Sequence, residues 1–474
     1  MIFRRILLLL ALVASACTPD GAPPQTASAP AASGRDARTP ALPRDIQQRI
    51  GAQIYAEPGL HAYVERVGRR LLAQGGVTGS GYSFYVLDTP TPNAHALPSG
   101  HIFVTRGLLA LLDDEAELAA ALAHELGHVA RRHAAERERQ RQTALDAAFA
   151  AARTTGSVAV GTSVAREGML ALRRYSREQE LDADRVGVGY IRQAGYRSDA
   201  MLSLIEKLRR QARLEGIFHG QAPDAAERRS ALSTHPASED RLAALLGVSS
   251  SGGETGRDAF LQAIDGMVFD DSPQEGFVRG TAFLHPVMKL AFQAPPDFRL
   301  LNDHDGVIGV GRDRALMYFT CTRDQVKGSL VDWMRNEVKP TPSGIETTSI
   351  GGAEAAISER PRGAETGLAN FRQVFIRRGD GVCFFNLLSD GMGKEQRMEA
   401  MIAAARSFRI LGEAEAAALR PYRLRVLTGA GMNANQLASR LPYGDFRLER
   451  LLALNGVDTS ADLANKRSIK TIEP

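Results

Sequence analysis

His124-Glu125-Leu126-Gly127-His128 decides how this chain of 474 residues is read. Around it, Leu118, Leu122, Leu126 and Val129 recur at helical spacing and define one apolar face. Asp114 followed by Glu117 reads as a capping-box start, and Arg131, Arg132 and His133 suit the C-terminal end, where cations meet the negative pole of the helix. Residues four apart share one face of a helix, so both imidazoles reach a single ion, with Glu125 beside its open position. Two neutral imidazoles, a ligand from elsewhere and a water next to a carboxylate make the donor set of a hydrolytic zinc. His124 lies about 200° around from Leu122, at about 100° per residue, so the histidines point away from the apolar face. Ala121, one turn before His124, leaves room there.

The third ligand has to come from outside this helix. An H-E-x-x-H-x-x-G-x-x-H pattern needs glycine at 131 and histidine at 134, where Arg131 and Ala134 stand, so that arrangement is excluded. His133 is one residue out of register and reads as a helix-surface residue. Downstream lies Ser176-Arg177-Glu178-Gln179-Glu180-Leu181-Asp182-Ala183-Asp184. Ser176 and Gln179 form a second capping box, so the spacing predicts a helix starting there. Glu180 and Asp184 are then i, i+4 neighbours, while Leu181, Val188 and Ile191 form an apolar stripe. The two carboxylates have two readings: a third ligand with support for a ligating imidazole, or a charged face making surface ion pairs.

With these residues in place the chain resembles the peptidase family of HtpX and the CAAX prenyl endopeptidases, whose third ligand opens an E-x-x-A-D motif, here Glu180-x-x-Ala183-Asp184. The stretch from Asn93-Ala94-His95-Ala96 through Gly100-His101 to Leu109 resembles the segment before the active helix of that family. Thr234-His235-Pro236-Ala237-Ser238-Glu239-Asp240-Arg241 resembles the one after it. The resemblance covers roughly residues 45–247. It implies a gluzincin fold, mostly helical, with a small sheet whose edge strand lies above the metal. It further implies one zinc held by His124, His128 and Glu180, with Asp184 steadying a ligating imidazole and Glu125 as general base. His235 and Arg241 join the catalytic set by the same resemblance. In related periplasmic enzymes a histidine in the place of His235 faces the zinc as a removable fourth ligand or donates to the oxyanion; by itself the residue also reads as a helix cap before Pro236. Substrate is expected as an extended strand along the Asn93–Val104 region, with Asn93 and Ala94 in contact.

Arg4 and Arg5 precede the apolar run Ile6–Val13, then Ala14-Ser15-Ala16-Cys17. This reads as an export signal over residues 1–17, too short for a permanent span. Cys17 after small residues resembles a bacterial lipobox, with Ala14 where leucine is more usual, and Thr18 favours the outer membrane. The expectation is a periplasmic protein, lipid-anchored through Cys17, with residues 18–43 as a flexible Pro/Ala/Ser/Gly tether. The Ala-rich region 143–172 is interrupted by Arg153 and Arg166 and does not span a bilayer. Cys321 and Cys383, in or beside apolar strand-like runs, read either as a disulfide or as two buried thiols. A net charge of +4 is too small and diffuse for a nucleic-acid partner.

The length predicts two or three domains. Ser249–Gly256 lacks apolar residues and reads as a linker, closing a peptidase domain at 44–247. From 257 to 412, runs such as Val307–Val310 and Phe371–Ile376 alternate with helical ones, a small α+β accessory domain loosely similar to PsbP-like folds. Residues 420–474 resemble a degenerate LysM module. Gly431-Met432-Asn433 replaces its usual Gly-Asp-Thr, leaving at most a weak peptidoglycan contact. The fold class expected is therefore multidomain: a mostly α gluzincin domain with a small β-sheet, then an α+β domain and a LysM-like tail. The function expected is a zinc endopeptidase acting on misfolded or misassembled envelope polypeptides. Its rivals are a chaperone or assembly factor with latent peptidase activity, and a cell-wall-binding protein with a structural zinc.

Overall fold

The computed structural model describes residues 42–474 apart from 51, 78–80, 219–234, 236–238, 249, 304, 314, 323–324, 340, 360–370, 392 and 430. The export signal, Cys17 and most of the tether lie outside the described residues. Two compact units result: residues 42–270 with Pro421–Pro474, and Asp271–Arg420.

The first unit is built around the helix Glu115–Ala130, which carries the H-E-x-x-H sequence. Asp114 caps it by accepting from the Glu117 N–H at 2.9 Å. The Glu117 carboxylate turns back to the Asp113 N–H at 2.7 Å, one residue earlier than a capping box requires. Every residue from Glu115 to Gly127 is buried, so both faces are covered. Leu118, Leu122 and Leu126 are fully buried, each contributing about 1.5–3 kcal/mol by leaving water. A small sheet lies beside this helix in the order β1 (Ser83–Leu87), β3 (His101–Thr105), β2 (Ala94–Ala96). β1 and β3 are parallel, β2 and β3 antiparallel, and β2 is the edge.

The helix expected to start at Ser176 runs without a break from Val158 to Gln193, and its cap is Ser157, which accepts from the Val160 N–H. Ser176 has the composition of a cap but not its role, because the Ala-rich stretch before it is itself helical and Gly156, in the left-handed conformation, ends the preceding helix His133–Thr155. The glutamate, alanine and aspartate of the E-x-x-A-D motif share one face with Gly187, at i, i+3, i+4 and i+7. That face meets the H-E-x-x-H helix closely. A Cβ on Gly127 would stand 3.0 Å from the Ala183 oxygen, and one on Gly187 would stand 3.3 Å from the His124 nitrogen. Small residues at this crossing set the reach of Glu180 and Asp184.

Residues 250–256 do not separate two domains. Ser250 O accepts from the Ser198 and Asp199 N–H groups, Glu254 exchanges bonds with Gly195 and Arg197, and Thr255 O accepts from Ala116 N. The segment lacks apolar residues; its backbone bonds dock it, together with the Glu254 carboxylate, which accepts from Arg70 at 2.8 Å. The helix Arg257–Ile264 follows and buries Phe260, Leu261 and Ile264 in the core of the first unit, so the accessory unit begins at Asp271, not at 257.

The tail belongs to the same unit. Tyr422–Thr428 pairs antiparallel with Ser468–Glu473 on one side and with Val268–Phe269 on the other. Between the two long strands lie the helices Ala434–Arg440, Arg447–Leu454 and Ser460–Ala464. Leu424, Leu451, Leu463 and Ile469 are buried in the core that also holds Leu118 and Leu122. The tail is thus no free module, since its apolar residues have no separate core to fill.

Unit Asp271–Arg420 holds an antiparallel seven-stranded sheet and a four-stranded sheet, with the helices Leu330–Glu337 and Lys394–Arg406. The helical and strand-like runs expected there appear within a few residues of their places. Cys321 and Cys383 stand opposite each other on paired strands and form a disulfide. Among the described residues, no helix is long and apolar enough to cross a membrane.

Candidate metal centre

His124 and His128 project from one helix and Glu180 from the other, and their ligand atoms converge with Nδ1 of His235. His124 Nε2 lies 3.1 Å from His128 Nε2 and 3.1 Å from His235 Nδ1. The Glu180 oxygens stand 3.3 Å from His124 Nε2, 3.4 Å from His128 Nε2 and 3.1 Å from His235 Nδ1. Donors 2.0–2.1 Å from a tetrahedral zinc stand about 3.3 Å apart, so the spacing fits that ion. Three imidazole nitrogens and a carboxylate facing one point form a donor set that a shared cation fits.

The surroundings favour positive charge at that point. Burial opposes protonation of His124, yet Asp184 and Glu180 raise it to about 10. A metal cation answers the same field and displaces the proton. Burial alone would raise Glu180, but the three histidines hold it well below the usual carboxylate range. Burial lowers His128 and keeps it neutral, as a ligand must be.

Behind the ligands, Asp184 accepts from His124 Nδ1 at 2.9 Å, fixing the ring so that Nε2 is free. Arg241 grips Asp184 with two hydrogen bonds, Nε at 2.6 Å and Nη2 at 2.7 Å, and its Nη1 reaches the His235 carbonyl at 3.3 Å. The guanidinium is nearly fully buried and also lies 3.2 Å from Glu180. Arg241, expected in the catalytic set, therefore stands behind the ligands and holds them. His235 faces the metal position with Nδ1 and Glu125 with Nε2, the latter at 3.5 Å from Oε1.

β2 runs beside this site. Asn93 O accepts from Thr105 N, and Leu97 N donates to His101 O, so alternate residues pair inward and Ala94 and Ala96 turn their peptide groups outward. The Asn93 N–H is bound to Thr105 Oγ1 at 2.9 Å. Of the two residues expected to contact substrate, Ala94 presents backbone to the open edge and Asn93 spends its own on β3.

His133 departs from its reading as a surface residue. It is buried, and its Nδ1 lies 3.0 Å from Nδ1 of His128. Its Nε2 faces Asp182 Oδ2 at 3.4 Å, and Gln179 Nε2 donates to its carbonyl at 3.0 Å. Burial, and then His128, push its pKa down to about 4. The signal was hidden because the helix ends at Ala130 and Arg132 takes a left-handed backbone, φ 55°, folding His133 back over His128.

Two ligating histidines four apart, a glutamate from a second helix and a base beside them are the marks of one peptidase group. Residues 58–249 match the model of peptidase family M48. That family is zinc-dependent, and the cluster of His124, His128, Glu180 and His235 is able to hold the ion. The chain is 28% identical over 208 residues to the beta-barrel assembly-enhancing protease of Escherichia coli K12, covering 42% of this chain and 40% of that protein. It is 31% identical over 212 residues to the mitochondrial metalloendopeptidase OMA1 of Schizosaccharomyces pombe, covering 42% of this chain and 59% of the relative. The chain thus spans 40% to 59% of the length of these relatives. Among solved structures it is similar to cyanobacterial PsbP from Synechocystis over 28% of this chain and 94% of that one, at 10% identity and a TM-score of 0.23, a likeness too slight to assign any part of the fold.

Proposed function

We propose that this protein is a zinc endopeptidase of the bacterial cell envelope that hydrolyses peptide bonds in misfolded or unassembled envelope proteins. The observation that carries the reading is the convergence of four ligand atoms with Glu125 at their side. When bound, the zinc polarises the attacking water and the scissile carbonyl. Glu125 is placed to take the proton of that water and pass it to the leaving amine. Its burial keeps bulk water from competing for the proton. Ala94 and Ala96 offer an open strand edge on which an extended polypeptide adds by backbone bonds, which tolerates many side chains and suits an unfolded substrate. The export-signal pattern and Cys17 support an envelope location and a lipid anchor, which a lipid mass on the N-terminal peptide would check. A weak glycan contact through the tail rests on sequence resemblance alone.

The test uses the full-length protein and an unfolded test protein as substrate. Glu125→Gln should keep its zinc and its fold while kcat falls at least ~100-fold, the lower end of a general base's contribution. Turnover equal to wild type would remove Glu125 from the chemistry. In a strain lacking the gene, unassembled envelope proteins should accumulate and disappear again on complementation with wild type but not with Glu125→Gln. Equal complementation by both would favour the second reading, an assembly factor with gated peptidase activity, which His235 Nδ1 as a fourth donor supports.

A further inference from the structure

The two ligating histidines are held differently at their outer nitrogens. For His124 the partner is a carboxylate, Asp184, at 2.9 Å. For His128 it is another imidazole, His133, with Nδ1 facing Nδ1 at 3.0 Å and the rings near perpendicular at 75°. One hydrogen bond between two such nitrogens needs a single proton, so one ring donates and the other accepts. If His133 donated, His128 would accept through Nδ1, and the neutral His128 would carry its proton on Nε2, the atom that must bind metal. The far side of His133 decides between them. Its Nε2 meets Asp182 Oδ2 at 3.4 Å, and that carboxylate is itself approached by Arg131 Nε at 3.1 Å. A carboxylate accepts only, so its placement beside Nε2 favours the tautomer with the His133 proton there and Nδ1 as the acceptor.

We propose that His133 is a positioning residue for the metal site: held by Asp182, it accepts the Nδ1 proton of His128 and fixes the tautomer in which His128 Nε2 is free to bind zinc. The proposal rests on the reading of His124, His128 and Glu180 as zinc ligands. The arrangement is built into the fold. Arg132 in the left-handed conformation turns the chain so that His133 opens a new helix over His128, and Gln179, one residue before the third ligand, holds the His133 carbonyl at 3.0 Å. His128, His133, Gln179 and Asp182 thereby link the two ligand-bearing helices on the side opposite Asp184 and Arg241. The relay adds no group to the reacting atoms. It selects which nitrogen of His128 carries the proton and holds the ring's plane.

The experiment measures zinc affinity of the full-length protein by competition with a chromophoric chelator, alongside thermal unfolding of the metal-free form. His133→Phe keeps the ring volume and removes the acceptor; it should weaken zinc binding 10–100-fold, the usual loss for such supporting contacts. His133→Asn places an amide oxygen near the position of Nδ1 and should recover affinity to within a few-fold of wild type. Metal-free melting temperatures close to wild type for both variants, with this split in affinity, establish the positioning role. Wild-type affinity in His133→Phe overturns the proposal, as does an equal loss in both variants. Glu180→Ala serves as the separate control: wild-type affinity in that variant refutes the zinc reading itself, and the proposal with it, whatever His133 does.

Discussion

His235 presents opposite nitrogens to two different partners, Nδ1 to the ligand cluster and Nε2 to Glu125. A catalytic zinc normally keeps one position open, and a fourth protein donor closes it. The geometry therefore favours a removable ligand over an oxyanion donor, and His235→Ala should raise the hydrolysis of a short peptide by full-length protein. An oxyanion donor predicts the opposite sign, a fall of ~10²–10³ in kcat, and unchanged activity would leave His235 in neither role. At this scale the sequence was most legible where chemistry is local. His124, Glu125 and His128 are read from i, i+4 spacing, whereas the same spacing of Glu180 and Asp184, two helices later, left two readings between which only the family resemblance chose. His133 was illegible because its contact with His128 depends on a backbone reversal at Arg132 that residue identity does not announce. Arg241 was found but misjudged, since only the fold shows that its fork closes on Asp184 rather than on a reacting atom.

The H-E-x-x-H helix begins with an unusual density of acid, Asp113, Asp114, Glu115 and Glu117, held by groups from several distant parts of the chain. Arg197 reaches Asp114 at 3.0 Å, the hydroxyls of Tyr63 and Tyr196 each reach Glu115 at 2.6 Å, and Lys207 reaches Glu117 at 2.5 Å. Asp113 receives Lys466 at 2.6 Å and Lys470 at 3.2 Å from the tail. Burial would raise the Asp113 carboxyl, but Lys470, Lys207, Lys466 and Arg257 hold it far below the usual range. A carboxyl depressed in the folded state stabilises fully above its unfolded value, about pH 4, and that contribution is lost as pH falls toward the folded value. Asp113→Asn leaves several buried cations without their partner, so it should cost about 3–5 kcal/mol at pH 7, read by urea unfolding. The gap from wild type should narrow below about pH 4; a gap independent of pH would mean the carboxylate charge is not what matters. The sequence disclosed the cap at Asp114 and the apolar stripe, but not these partners, of which Lys466 lies 353 residues from Asp113 and Lys470 further still. It also placed a helix start at Ser176, because a capping pattern inside a long helix looks the same as one at its end.

At the scale of the whole molecule, the unit Asp271–Arg420 is an insertion in a discontinuous first unit. The chain leaves and re-enters that unit beside itself, since Phe269 and Tyr422 are paired across neighbouring strands. Paired strands lie about 5 Å apart, a gap that a hairpin turn of two residues closes. Replacing 271–420 by a short Gly/Ser turn should therefore give a folded protein with about one zinc per chain and a cooperative thermal transition. A zinc-free or insoluble product would show that the inserted unit is needed to build the site. The sequence suggested three domains in a row because composition changes at 249 and near 420 look like boundaries. They mark a docked strap and a returning strand, and contacts so distant along the chain leave no local trace.

The Lys470 ammonium donates to the carbonyls of Ala110, Leu111 and Leu112, where the short helix Arg106–Leu111 ends just ahead of the H-E-x-x-H helix. Lys470 follows Leu112 by 358 residues. At about 5–20 residues per second of synthesis, that interval is on the order of 20–70 s, and from His235 to Lys470 on the order of 10–50 s pass in which all four metal-facing residues exist but the core around them is unfinished. The topology thus works as a clock. A product terminated before Ser468 lacks the strand that pairs with Tyr422–Thr428, and with it the ammonium that holds the three carbonyls ahead of the H-E-x-x-H helix.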